Sequence, residues 1–361
     1  MNYIIVAAII HGFIFSALLI SKHENKLANK LFVCMLFSIL ITIFTYAVLQ
    51  LKLYNSNPWL HWLPFGASFT IAPAFYLFVK YLVNSNKGFN NKDLLHFTPL
   101  AFNYLHSVYH LIYGREIAHV EFHNFTESVQ LLAILPGSVY LIYTFRLIKQ
   151  YESKVREQFS NLHSRTLKWA FILLYIFVFI YGLILLFVIV DIELLFNYRL
   201  EFYEMILMPY DELLILSYCV ATYWSTIGTY MLKQAPEILD AGRPPSKDFK
   251  AIGEKIIAGM KDDRLYLNPE LSLRIMEDHL AIPAKEISSI LNQYFKKNFY
   301  EFTNDFRVEE VKKRLLDKSK EHLTIEALAY DSGFNSKATF NRIFKEKTGQ
   351  SPSNFRASQN N

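Results

Sequence analysis

The chain has 361 residues, of which 52% are hydrophobic, 16% aromatic and only 19% charged. A soluble protein typically carries about 25% charged residues, and the shortfall is confined to the first two thirds of this chain. From Arg243 onward the sequence holds 21 Lys and Arg against 17 Asp and Glu. The two cysteines have no paired or zinc-binding spacing, which argues against a disulfide-stapled secreted domain.

Apolar segments that are long enough to cross a bilayer recur through the first part of the chain. About 20 helical residues cross a hydrocarbon core of about 30 Å. The predicted spans are residues 3–21, 31–51, 59–83, 94–113, 128–149, 166–190 and 209–231, the fourth being the weakest because Pro99 and Asn103 interrupt it. We therefore predict an all-α fold, in which residues 1–231 form a bundle of about seven transmembrane helices.

The charges of the predicted loops give this bundle an orientation. Lys and Arg accumulate on the cytoplasmic side of membrane proteins. In this chain twelve of them fall in or beside loops on one side of the bundle and three on the other. This bias predicts an integral membrane protein with its N-terminus outside and its C-terminal domain in the cytoplasm.

A linker of residues 232–247 separates the bundle from a charged C-terminal domain, residues 248–361. Pro244 and Pro245 stop any helix that continues from the membrane. The segment "LTIEALAYDSGFNSKATFNRIFKEKTG" then has the pattern of a helix, a glycine turn at Gly333 and a second helix. Asn335 or Ser336 is positioned to cap that second helix.

The second helix of a helix-turn-helix lies in the DNA major groove. The spacing of Phe340, Ile343 and Phe344 buries one face of this helix. The opposite face carries side chains that donate to bases and phosphates, namely Ser336, Lys337, Thr339, Asn341, Arg342 and Lys345.

A similar pair of helices lies about 50 residues upstream. In "LSLRIMEDHLAIPAKEISSILNQYF" the spacing buries Ile287, Ile290 and Leu291. The exposed face of its second helix carries Lys285, Ser288, Ser289 and Asn292. The segment "RVEEVKKRLL" is predicted to be the helix that joins the two units.

The tandem units, the joining "RVEEVKKRLL" and the ending "GFNSKATFNRIFKEKTGQSPSNFR" resemble the DNA-binding domain of AraC-type transcription regulators. The resemblance implies a bacterial protein, and a seven-helix module whose two recognition helices enter successive major grooves on one face of double-stranded DNA. The first unit departs from the family pattern at Leu280-Ala281-Ile282, where a glycine is frequent. The apolar part resembles the multi-span sensor regions attached to some regulators of this type.

Polar residues near the predicted outer side are candidates for a signal site. His106 and His110 share one helix face, His119 and His123 fall in the next outer loop, and Asp211 opens the seventh span. Histidine and carboxylate groups together bind protons or metal ions. The alternative is that they are interfacial groups that hydrogen-bond to neighbouring helices, and we assign no metal or cofactor.

The sequence holds no phosphate-binding glycine loop, no nucleophile arrangement and no metalloprotease spacing, so we expect no enzyme activity. We predict a one-component regulator in the bacterial inner membrane, whose partners are DNA, the lipid bilayer and a membrane or envelope signal. Paired sites on DNA favour a homodimer. The alternative is a transporter-like membrane protein whose basic cytoplasmic tail binds another protein.

Overall fold

The computed structural model describes residues 2–21, 25–50, 57, 67–84, 88–101, 104–105, 119–162, 165–197, 220 and 249–359. Within these residues the regular structure is helical, apart from an isolated antiparallel bridge between Phe159 and Ser272. The chain divides into two compact units. The N-terminal unit comprises Met1–Lys149 and Leu167–Ala235, and the C-terminal unit comprises Gln150–Thr166 and Pro236–Asn361.

The N-terminal unit consists of long apolar helices. They are α1 Asn2–Ser21, α2 Lys26–Gln50, α3 Ser68–Val83, a 3-10 helix Asn91–Phe97, α4 His119–Gln158 and α5 Lys168–Asn197, with the last residues of α4 belonging to the C-terminal unit.

Small residues and aromatic rings pack these helices together. A Cβ atom at Gly12 of α1 would lie 2.8 Å from the side chain of Leu40 in α2, so the two helices approach closely there. The rings of Phe32 and Phe78 join α2 to α3, with centroids 4.7 Å apart. The hydroxyls of Ser38 and Thr70 form a hydrogen bond between the same two helices. Close packing over small residues and polar bridges is typical of helices in lipid.

Large apolar side chains cover the outer faces of this unit. Leu135 of α4 is 73% exposed and Leu186 of α5 is 58% exposed. On α1 the exposed apolar residues are Val6, Ile10, Phe13, Ile14, Leu18 and Ile20. Exposed apolar side chains that join into a large patch mark a membrane or protein contact.

In the part of the chain that the structure describes, the segment Lys26–Phe44 is long and apolar enough to cross a membrane. Shorter apolar helical segments cover Val6–Ser21, Phe69–Val83 and Lys168–Leu183. Half of the fourth predicted span and nearly all of the seventh lie outside the described residues. The bundle of about seven spans therefore stays a prediction.

Two local predictions in this region are wrong. The segment from His119 to His123 was expected to be an outer loop, but it belongs to α4. Residues 119–130 contain no Gly or Pro, so nothing in them interrupts a helix. The fourth span was expected to start as an α-helix at residue 94, but Asn91–Phe97 is a 3-10 helix. Its Asp93 is buried and accepts hydrogen bonds from Lys80 Nζ at 2.8 Å and Tyr81 Oη at 2.6 Å.

The C-terminal unit contains seven α-helices between residues 249 and 359. They are α6 Phe249–Lys261, α7 Leu273–Leu280, α8 Ala284–Gln293, α9 Phe299–Leu316, α10 Ile325–Tyr330, α11 Lys337–Thr348 and α12 Pro352–Gln359. Helix α9 contains the predicted joining segment. It begins with a capping box, in which Asn298 and Glu301 each bind the other's backbone N–H.

Two apolar cores hold this unit together, one for each helix-turn-helix. The first core lies around Met276, Ile287 and Leu291 of α7 and α8. The second core lies around Leu328, Phe340 and Phe344 of α10 and α11. Helix α9 supplies Phe299 and Phe302 to the first core, and Tyr300, Val308 and Val311 to the second. Opposite faces of α9 therefore pack against the two helix-turn-helix units.

Candidate nucleic-acid interface

The second helix-turn-helix consists of α10 and α11, joined by a turn at Gly333. Thr324 caps α10 by accepting a hydrogen bond from the backbone N–H of Ala327 at 3.1 Å. Gly333 adopts φ +90°, a left-handed conformation that side chains disfavour. Ser336 then caps α11, with its hydroxyl 3.4 Å from the backbone nitrogen of Thr339. These local signals fix where the recognition helix α11 begins.

The solvent face of α11 carries most of the predicted DNA contacts. Lys337, Asn341 and Lys345 are exposed at intervals of four residues, and Arg342 lies beside them. Lys337 forms an ion pair with Glu326 of α10 at 2.9 Å, although its side chain is 65% exposed. Ser336 and Thr339 are only half-buried, and the hydroxyl of Ser336 is engaged in capping. The face is basic and polar, as expected of a helix that contacts DNA.

Arg342 was predicted to contact DNA. In the structure, two side chains of the same domain accept hydrogen bonds from the two terminal nitrogens of its guanidinium. Its Nη2 donates to the hydroxyl of Tyr300 in α9 at 2.8 Å, and its Nη1 donates to Glu346 at 3.0 Å. Burial raises the pKa of the Tyr300 phenol, although Arg342 and Arg156 act in the opposite direction. A bidentate contact between Arg342 and a guanine would therefore require an exchange of these partners. The sequence offered one signal, the spacing of four residues to Glu346.

The first helix-turn-helix consists of α7 and α8. Ser272 caps α7 through the backbone N–H of Ile275 at 3.3 Å. Ala281 follows α7 in a left-handed conformation, with φ 50° and ψ 42°. Glycine adopts this conformation readily, whereas the Cβ atom of Ala281 costs about 1–2 kcal/mol in it. The turn is kept although the glycine is missing.

The recognition helix of the first unit, α8, presents a less basic surface. Lys285 and Asn292 are exposed, whereas Ser288 and Ser289 are half-buried. The hydroxyl of Ser289 accepts a hydrogen bond from Gln293 at 3.1 Å. Lys285 is the single cation among the predicted contacts of α8, whereas α11 contributes Lys337, Arg342 and Lys345.

Asp305 of α9 forms ion pairs with residues of both helix-turn-helix units. Its carboxylate lies 2.6 Å from Nζ of Lys297, which follows α8, and 2.7 Å from Nζ of Lys347 in α11. The hydrogen bond to Asp305 raises the pKa of the Lys347 ammonium. The sequence did not predict this bridge, because Lys347 is far from Lys297 and Asp305 in the chain.

The predicted signal residues receive little structural description. His106, His110 and Asp211 lie outside the described residues, and His119 and His123 are described only as backbone positions of α4. Among the residues that the structure does describe, no group of three or more His, Cys, Asp or Glu side chains could hold a metal ion. The signal site thus stays a prediction.

Residues 276–358 match a family model described as a helix-turn-helix domain. The match runs from within α7 to α12, so it covers both recognition helices, and it supports an AraC-type DNA-binding domain. No curated protein and no solved structure matches the chain significantly.

Proposed function

We propose that this protein is a membrane-anchored, one-component transcription regulator that binds specific DNA through its two helix-turn-helix units. The match over residues 276–358 carries the DNA-binding part of the proposal. The geometry supports it, because the recognition helix of each helix-turn-helix has an apolar inner face and a polar outer face, and Ser336 caps the start of α11. The basic side chains of α11 would displace counterions from DNA phosphates and so supply much of the affinity.

Four observations support anchoring in the bacterial inner membrane. Exposed apolar side chains cover α1, α4 and α5, and the segment Lys26–Phe44 has the length and composition of a span. The Lys and Arg bias of the loops favours an outside N-terminus and a cytoplasmic C-terminal domain. The segment Gln150–Thr166, which belongs to a predicted cytoplasmic loop, lies in the same compact unit as the DNA-binding helices.

In this proposal a membrane or envelope signal alters the N-terminal helices, and the change lowers or raises DNA binding without a phosphorelay. The polar residues His106, His110, His119, His123 and Asp211 remain candidates for sensing. Paired sites on DNA would favour a homodimer. No enzymatic step is required.

The competing proposal is a transporter-like protein whose basic tail binds another protein. It predicts no sequence-specific DNA binding and gives no role to Lys337, Asn341 and Arg342 on one face. Mapping the DNA bound by the full-length protein across a genome separates the two proposals. Recovery of one recurrent sequence in the bound DNA supports the transcription regulator. A random distribution of the bound DNA supports a tail that binds another protein.

Alanine substitutions on α11 test the DNA interface. Arg342→Ala should weaken binding to the mapped site by roughly 10- to 100-fold, the loss expected for a guanine contact worth about 1–3 kcal/mol. Lys345→Ala should weaken binding to all sequences alike and reduce the salt slope by about one unit, because it removes a phosphate contact. Fluorescence anisotropy of the full-length protein in detergent over a salt series measures both effects.

Glu346→Gln is the matched control for Arg342→Ala. It removes one partner of Arg342 but keeps the arginine, so it should not weaken specific binding. If folded Arg342→Ala protein binds the mapped site as tightly as wild type, Arg342 does not read a base. Its bonds to Tyr300 and Glu346 are then purely structural.

Topology reporters test the membrane proposal. Fusions active only in the cytoplasm should be active after Lys26, Lys87 and Lys154 and at the C-terminus, and inactive after Tyr54 and near Glu121. Activity near Glu121 would show that the fourth predicted span does not cross. Activity after Tyr54 would contradict the predicted orientation at the second span.

A further inference from the structure

The segment Gln150–Thr166 belongs to the C-terminal unit, although about 80 residues separate it from α6. We name it the strap, and residues 163 and 164 are its undescribed part. Phe159 forms the antiparallel bridge with Ser272, the cap of α7. The backbone N–H and the hydroxyl of Ser160 both donate to the carbonyl of Leu271, at 3.2 and 2.6 Å. The strap is therefore attached to the start of the first helix-turn-helix.

A second set of contacts attaches the strap to Glu270, just before α7. Asn161 donates to one carboxylate oxygen of Glu270 at 2.8 Å, and Arg165 donates to the other at 3.0 Å. Asn335, in the turn of the second helix-turn-helix, lies 3.4 Å from the first of these oxygens. Leu162 packs against the second apolar core. The strap thus contacts both helix-turn-helix units.

Arg307 of α9 is the centre of this arrangement. Its side chain is 2% exposed, and burial lowers the pKa of its guanidinium to about 10. Nε donates to the carbonyl of Tyr266 at 2.8 Å, and Nη2 donates to the carbonyl of Asn268 at 2.7 Å. Nη2 also donates to the hydroxyl of Ser160 at 3.1 Å, and Nη1 to its carbonyl at 3.5 Å.

Removal of the strap would deprive Arg307 of both acceptors on Ser160. A buried cation that loses its hydrogen-bond acceptors is strongly unfavourable, so the docked strap and the closed packing around Arg307 stabilise each other. The strap is also linked to α11 indirectly, through the side chain of Tyr300 in α9. The guanidinium of Arg156 lies 5.8 Å from the ring centroid of Tyr300, whose hydroxyl holds Arg342.

We propose that the strap is an internal brace that fixes the two recognition helices at the spacing needed to bind two DNA segments together. The polar contacts of the strap described above fall on Arg307 of α9 and on residues 270–272 at the start of α7. None of these residues is among the predicted DNA contacts. This inference rests on the DNA-binding function proposed above.

The brace has a consequence for regulation. The strap includes the last residues of α4, which ends at Gln158, and α5 follows it at Lys168. A displacement of either helix that moves Ser160 away from Arg307 would remove the constraint on the spacing of the two recognition helices. DNA affinity would then fall without any change in the side chains that contact DNA.

A triple variant, Ser160→Ala, Asn161→Ala and Arg165→Ala, tests the brace in the full-length protein in detergent. The probes are the mapped DNA site and the same duplex with one of its two contacted segments scrambled. We expect the variant to bind the intact site at least about tenfold more weakly, the effect of losing one or two net hydrogen bonds. Binding to the scrambled duplex should change less than about twofold, because each recognition helix is intact. Ser153→Ala, an exposed change in the strap, should leave both affinities unaltered.

Each outcome decides between explanations. A triple variant that binds the intact site as tightly as wild type overturns the brace. A variant that loses both affinities shows that the strap is needed for folding rather than for spacing, which also overturns it. If wild-type protein binds neither duplex above its affinity for random DNA, the proposed DNA-binding function itself fails.

Discussion

Replacement of Gly333 by alanine should unfold the second helix-turn-helix. A Cβ atom at this position would lie 2.2 Å from the carbonyl oxygen of Tyr266 and 2.9 Å from Nε of Arg307. The first contact is with backbone, which cannot rotate away. The substitution also places a side chain at φ +90°, which costs about 1–2 kcal/mol before any clash, and overpacking typically adds about 1–3 kcal/mol.

Gly349→Ala is the matched control. Gly349 also has a positive φ, +78°, but nothing lies within 4 Å of a Cβ atom built there. The Gly349→Ala protein should lose only about 1–2 kcal/mol of stability, the conformational cost of a side chain at this φ. Pulse proteolysis of the full-length protein in urea measures the stability of the C-terminal unit for both variants. Equal losses at the two positions would mean that the contact with Tyr266 and Arg307 does not constrain the turn.

The parts of this domain that depend on local signals could be predicted from the sequence. The spacing of Phe340, Ile343 and Phe344 predicted the inner face of α11, and all three are buried. Gly333 predicted the turn, and Ser336 was one of two candidates for the cap. Such signals act within one or two helical turns, so a single sequence contains all the information that they need.

The contacts that arrange the candidate site could not be predicted in this way. Arg342 meets Tyr300 across 42 residues, and Arg307 meets Ser160 across 147 residues. Arginine is almost never fully buried unless it is paired, so the periodic pattern of α9 gave no reason to place Arg307 in the interior. The sequence analysis assigned the residues of the strap to a cytoplasmic loop, because no local sequence pattern indicates that they contact α7.

In the apolar half of the chain the sequence predicted helical segments better than their ends. The predicted span 3–21 corresponds to α1, whereas the predicted span 128–149 lies inside the much longer α4, His119–Gln158. Hydropathy registers where apolar residues are dense, but it does not register how far a helix continues through polar residues. The placement of His119 and His123 in a loop was wrong for this reason.

Phe344→Ala should destabilise the C-terminal unit by about 3–5 kcal/mol, the usual cost of removing a buried phenylalanine side chain. Phe344 is completely buried, and its ring lies 5.6 Å from that of Phe340 and 5.5 Å from that of Phe355, measured between centroids. A domain with a typical stability of about 5–15 kcal/mol would then be marginal or unfolded. Pulse proteolysis in urea and the anisotropy of DNA binding should report the loss together.

Lys345→Ala is the control on the same helix, one residue away and exposed. It should change stability by no more than about 0.5 kcal/mol, as surface substitutions usually do. It should nevertheless weaken DNA binding, because its ammonium group is on the face proposed to contact phosphates. The two substitutions therefore separate the inner face of α11 from its outer face. A Phe344→Ala protein as stable as wild type would contradict the packing of the second core, and a Lys345→Ala protein with unaltered DNA affinity would contradict the proposed phosphate contact.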